Sequence, residues 1–97
     1  MGRQLGDCRP FRRGEALQLD CIFYMPIPGK PSKKIRQRMI DGDILHTKKP
    51  DADNLVKWVK DCLNKVVWHD DNQIAFLTAL KRFSDEPRTE IMVRKID

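Results

Sequence analysis

The sequence has no C-x-x-C and no H-x-x-H. Its three cysteines, Cys8, Cys21 and Cys62, lie far apart. An odd count without paired spacing excludes a disulfide framework and a zinc ribbon. Cys21 and Cys62 are therefore expected as small buried apolar residues of a protein in a reducing cytosol. The two histidines, His46 and His69, lack the spacing of a zinc site. No apolar run approaches the ~18 residues that would span a bilayer. Met1 to Gly14 carries four arginines and no apolar core, unlike a secretory signal. Gly6 stands where a myristoylation signal requires Ser or Thr. No internal repeat or low-complexity stretch is visible.

What remains is a chain of 97 residues, 34% charged and 40% apolar, with a mean hydropathy of −0.59. That suits one soluble globular domain. A chain this short has a small core, so a partner subunit is expected. The net charge of +5 is uneven. Residues 1–50 hold eleven Lys/Arg against five Asp/Glu, and residues 51–97 hold eight against nine. The densest basic stretch is Lys30, Lys33, Lys34, Arg36 and Arg38. Acids follow at Asp51, Asp53, Asp61, Asp70 and Asp71. A basic arm beside an acidic cluster suits a polyanion held over a cation site; the plain alternative is a solvated surface.

Periodicity supplies the elements. Residues 1–15 show none and read as a loose arm. Ala16 to Met25 alternates, placing Leu17, Leu19, Cys21, Phe23 and Met25 on one face of a strand. Pro26, Pro28, Gly29 and Pro31 end it. Ser32 is the expected N-cap of a short basic helix from Lys33 to Ile40, stopped by Asp41-Gly42-Asp43. Leu55, Trp58, Val59, Cys62 and Leu63 form the apolar stripe of a second helix, opposite a polar stripe of Asp53, Lys57, Asp61 and Asn64. His69 to Asn72 reads as a turn. Strands are expected over Gln73–Phe83 and Thr89–Ile96, paired as a hairpin. The expected fold is α+β, a small mixed or antiparallel sheet of about three or four strands with two helices on one face.

The aspartates carry the chemical signal. Hydrolysis of a phosphodiester at neutral pH is commonly assisted by divalent ions held by carboxylates from separate elements. Asp51 and Asp53 are spaced i, i+2. On a helix they would diverge, whereas in the extended segment that Pro50 favours they face one side. Asp53 could then cap the helix that follows. Lys57 lies one turn after Asp53, positioned to meet a phosphate. Each feature also has a plain structural reading. Asp51 and Asp53 suit a helix start, Lys57 and Asp61 an i, i+4 pair, and Asp70-Asp71 a turn.

The stretch Lys49-Pro50-Asp51-Ala52-Asp53-Asn54-Leu55-Val56-Lys57, then Asp61-Cys62-Leu63-Asn64, then Asp70-Asp71-Asn72-Gln73-Ile74 resembles the signature of the RusA-type Holliday-junction resolvases. That signature runs K-P-D-x-D-N-x-x-K, D-A-L-N and D-D-x-Q-hydrophobic. Cys62 replaces the usual alanine, and Lys65 stands where glycine is common. The resemblance spans about Ala16 to Arg94 and extends to His46-Thr47-Lys48-Lys49 upstream and Glu86-Pro87-Arg88-Thr89-Glu90 downstream. It implies a Mg²⁺-dependent endonuclease, with Mn²⁺ able to substitute, acting as a homodimer on four-way DNA junctions in recombination and repair. Asp51, Asp53 and Asp71 match the family's metal-binding catalytic aspartates, and Lys57 its essential lysine. Asp70 is a supporting candidate for the metal. Lys33, Lys34, Arg36, Arg38, Lys48 and Lys49 are the expected phosphate contacts. A single domain over 1–97 in a bacterial or phage-infected cytoplasm follows, with no membrane role. The resemblance also implies a strand and a helix before Ala16, so the N-terminus reads as that of a shortened member or of a fragment of a longer reading frame. A second reading of the same residues is a non-catalytic nucleic-acid-binding module derived from a resolvase.

Overall fold

The computed structural model describes residues 10–96; Cys8 and the first nine residues of the expected arm lie outside that range. Three strands and two helices run in the order β1 (Leu17–Pro26), α1 (Lys33–Asp41), α2 (Ala52–Leu63), β2 (Ile74–Ser84), β3 (Arg88–Lys95), with one 3₁₀ turn, Asp71–Gln73, before β2. The sheet order is β2-β1-β3. β1 runs parallel to β2 and antiparallel to β3.

This topology corrects the expected hairpin. β2 and β3 do not pair; each pairs with β1. The reason lies in β1. Its inward residues Leu17, Leu19, Cys21 and Phe23 are at most 2% exposed, and only a central strand is shielded on both edges. Fully burying such side chains stabilises by roughly 1.5–3 kcal/mol each. The residues between β2 and β3, Asp85-Glu86-Pro87, carry the chain past the end of β1. Two helices between β1 and β2 provide the long crossover that a parallel pair requires.

The core joins the inner face of β1 to Val56, Val59 and Trp68, with Phe11, Met25, Leu55, Leu63, Val67, Ile74 and Val93 packed around it. The stripe of α2 is thus displaced from the expected one. Val56 and Val59 are buried, while Trp58 is 59% exposed and Cys62 is also exposed. Val56, Val59 and Leu63 share the inward side. Trp58 lies about 200° around the helix from Val56, so it cannot be buried with it. Cys21 is buried as expected.

α1 has the predicted ends. Ser32 accepts a hydrogen bond from the Ile35 amide (3.3 Å), and Gly42 closes the helix in the left-handed region (φ 88°). Arg82 on β2 donates to the Ile40 carbonyl (2.7 Å), tying α1 to the sheet. A Cβ on Gly42 would approach that guanidinium to 3.2 Å, a second reason for glycine there. The end of the expected arm is fastened. Arg12 N–H donates to Glu15 Oε1 (2.6 Å), and Phe11 joins the core.

On β2 a bulge opposite Leu17/Gln18 turns Phe76, Thr78 and Leu80 to the face opposite that of Ile74. They sit beside Gln18, Asp20 and Ile22, with Met92 beyond. Phe76, Leu80 and Met92 are exposed, and no described element covers this face.

Candidate active site

α2 and the turn before β2 meet at one cleft. Asp53, Val56, Lys57, Lys60, Asp61 and Asp71 line a cavity of about 280 Å³. Asp53, Lys57 and Asp61 come from one face of α2 at i, i+4 and i+8. Asp71 comes from the 3₁₀ turn. Lys57 and Asp61 do not close into an ion pair among the described residues, so this lysine is not consumed by the routine helix pairing.

Asp51 is placed differently from the other carboxylates. It is the N-cap of α2, with extended backbone (φ −70°, ψ 151°), and makes no capping hydrogen bond through its side chain. Asp53 is already helical and does not cap, contrary to expectation. Because the chain turns helical between them, the two do not share a side. Asp51 opens on the neighbouring groove with Lys49, Pro50 and Asn54. The sequence-predicted residues thus fall into two adjoining sets, with Asp53, Lys57 and Asp71 together and Asp51 beside Lys49.

Asp70 has a local task. Its Oδ1 accepts from the Asn72 amide (2.9 Å), completing a capping box with Gln73. Asp71 Oδ1 accepts from the indole Nε1 of Trp68 (2.9 Å), so a fully buried side chain reaches the rim of the cleft.

Two further residues set the geometry and escaped the sequence reading. Gln73 is 8% exposed. Its Oε1 accepts from the amides of His69 (2.8 Å) and Asp70 (3.0 Å), and its Nε2 donates to the carbonyls of Arg12 (2.8 Å) and Glu15 (3.1 Å). It thereby pins the aspartate turn to the N-terminal segment. Lys81 Nζ donates to the carbonyls of Lys48 (2.7 Å) and Pro50 (2.9 Å), holding the lead-in that presents Lys49 and Asp51. A glutamine after two aspartates was visible in the motif, but the two carbonyls it donates to lie 61 and 58 residues away. Lys65 adopts φ 69°, the conformation for which glycine is best suited. That accounts physically for the glycine the resemblance places there.

Of the basic residues, Lys33, Lys34, Arg36 and Arg38 are exposed on α1, and Lys48 and Lys49 on the lead-in. Arg36 contacts Asp85 at 3.4 Å, an exposed pair worth little energetically. His46 lies edge-on to Phe83 (5.4 Å between centroids, 61°), with its Nδ1 buried and unpartnered. Burial, and then the nearby Lys81 charge, hold its pKa below the usual imidazole value. His69 is buried. Neither histidine joins a ligand cluster among the described residues.

No three of His, Cys, Asp or Glu converge closely enough to enclose a metal ion among the described residues. The cleft instead offers carboxylate oxygens alone. That donor set fits a hard cation such as Mg²⁺, which keeps several waters and takes one or two protein carboxylates.

Comparison with known proteins places the chain in a family. Residues 3–94 match the family described as endodeoxyribonuclease RusA. The chain belongs to the RusA endodeoxyribonuclease family. An uncharacterized protein of Bacillus subtilis (strain 168), YqaN, is 40% identical over 82 residues, which is 82% of this chain and 58% of that protein. The chain therefore spans little more than half the length of that relative. No solved structure matches it. Among the described residues, no helix of this RusA-family chain is long and apolar enough to cross a membrane.

Proposed function

We propose that this RusA-family chain is a Mg²⁺-dependent endodeoxyribonuclease that resolves four-way DNA junctions in recombination and repair. The observation that carries the reading is the convergence of Asp53, Lys57 and Asp71 on one cleft from two elements. Asp53 and Asp71 would hold the cation, with Asp51 in the adjoining groove as the third carboxylate of the set. A divalent ion there supplies charge neutralisation at the phosphate and a more acidic water. In hydrolysis, water oxygen bonds to phosphorus, one ester P–O bond breaks, and the leaving oxygen takes up a proton. Lys57 stabilises the negative charge that grows on the phosphoryl oxygens.

Lys33, Lys34, Arg36, Arg38, Lys48 and Lys49 would grip backbone phosphates. Recognition then rests on charge and junction shape. Of these six, Lys49 shares the groove that Asp51 opens on. A homodimer would set two equivalent cleft sites on a two-fold junction. Supporting it is the open face of the sheet, where Ile22 pairs with Leu80 and the exposed Phe76 and Met92 stand beside the polar Gln18, Asp20 and Thr78.

The test is incubation of the protein with a four-way junction and with a linear duplex of the same sequences, in Mg²⁺ or EDTA. The expected outcome is paired nicks in the junction in Mg²⁺ only. Junction binding with no cutting in Mg²⁺ or Mn²⁺ would replace the nuclease with a non-catalytic binding module. Absence of salt-sensitive DNA binding would remove the nucleic-acid role altogether.

A further inference from the structure

Trp68 belongs to the hydrophobic core, yet it also bonds to a residue that lines the cleft. It is 0% exposed and packs with Leu17, Leu19, Val56 and Val59. Its backbone is fixed as well, because the Trp68 carbonyl accepts from the Lys65 amide (2.8 Å). The side chain therefore has one orientation, and its polar atom, Nε1, donates to Asp71 Oδ1 at 2.9 Å. A buried indole N–H needs an acceptor. This one takes a carboxylate three residues on rather than a nearby carbonyl.

The consequence concerns Asp71. A surface aspartate on a three-residue turn would sample several rotamers, and each would present its oxygens differently. The indole holds Oδ1, leaving Oδ2 for the cleft that Asp71 lines with Asp53 and Lys57. Groups that hydrogen-bond a ligating carboxylate orient it and set its basicity. An N–H donor, unlike a second cation, does so without competing for the negative charge.

We propose that Trp68 is the positioning residue of the cation site, coupling the core to Asp71. This rests on the metal-dependent reading of the cleft, and its test separates the two. The protein contains two tryptophans, and the other, Trp58, is exposed on α2. Trp58→Phe thus leaves Trp68 as the sole tryptophan, excited selectively over Tyr24 at the red edge of its absorption. Being buried, Trp68 is shielded from collisional quenchers, so quenching by Mn²⁺ requires an ion close by.

The experiment titrates Trp58→Phe with Mn²⁺, following uptake by calorimetry and Trp68 emission in parallel. Saturable quenching that tracks uptake, is displaced by Mg²⁺, and is lost in Trp58→Phe/Asp71→Asn is the expected result. In addition, Trp68→Phe, checked for folding by circular dichroism, should weaken Mn²⁺ binding about tenfold. Should that variant fail to fold, the Trp58→Phe titration decides alone. Mn²⁺ uptake with unchanged Trp68 emission, or a folded Trp68→Phe that binds Mn²⁺ like the parent, overturns the positioning role and leaves the metal reading intact. No uptake of Mn²⁺ overturns both.

Discussion

Replacing Gln73 with leucine removes the bracket behind the aspartate turn. The side chain makes four hydrogen bonds, two accepted from the His69 and Asp70 amides and two donated to the Arg12 and Glu15 carbonyls. Leucine is similar in size and makes none. Each intramolecular hydrogen bond contributes about 1 kcal/mol net, and a buried group left unpaired costs about 1–3 kcal/mol. The bond to the His69 amide is buried and the other three are part-buried, so the lower end applies to those three. The expected loss is roughly 3–4 kcal/mol. Total stability for 97 residues is about 5–15 kcal/mol, so most molecules stay folded at 25 °C. The midpoint should fall by about 12–30 °C, at roughly 4–8 °C per kcal/mol for a domain of this size. Urea and thermal unfolding followed by circular dichroism measure it. Gln73→Glu is the companion variant: it keeps the two acceptors and loses the donors, setting a carboxylate against two carbonyls. It should be no more stable than leucine. A Gln73→Leu protein within about 0.5 kcal/mol of wild type would refute the role given to this residue.

Three further outcomes are expected. Lys65→Gly relieves the positive φ at that position and should raise stability by about 0.5–1 kcal/mol in the same denaturation assay, the left-handed penalty of about 1–2 kcal/mol being offset in part by glycine's entropy. His46, depressed by burial and by Lys81, takes up its proton in the unfolded chain before the folded one. Its contribution is complete above its usual value of 6.5 and is lost as pH falls below it. His46→Met should therefore flatten the stability profile between about pH 7 and 5. Met92→Glu, on the open sheet face, should halve the mass of the proposed homodimer in sedimentation equilibrium while leaving the circular dichroism spectrum unchanged; a mass the variant shares with wild type would remove this face from the proposed interface.

Local features were legible in the sequence because they depend on neighbours. Ser32 and Gly42 mark the ends of α1, and alternation over Leu17–Phe23 marks the buried face of β1. The pairing of β3 with β1 was not legible, since alternation identifies a face but never a partner strand. The α2 stripe was misread by one position because Trp58 and Cys62 fit helical spacing with Leu55, while tertiary packing centred the buried face on Val56 and Val59. The motif residues were all visible, but the separation of Asp51 from Asp53 depended on where the helix begins. Gln73, Lys81 and the polar side of Trp68 were silent because their partners are set by the folded arrangement.

The central claim is that the cleft of Asp53, Lys57 and Asp71 cuts DNA. The most direct test is single-turnover cleavage of a four-way junction by wild type and Asp53→Asn in Mg²⁺, with junction affinity measured alongside. Loss of one cation carboxylate should lower the cleavage rate by at least about 10³-fold, roughly 4 kcal/mol of transition-state stabilisation, while affinity changes little. Cleavage by Asp53→Asn at the wild-type rate would contradict the account.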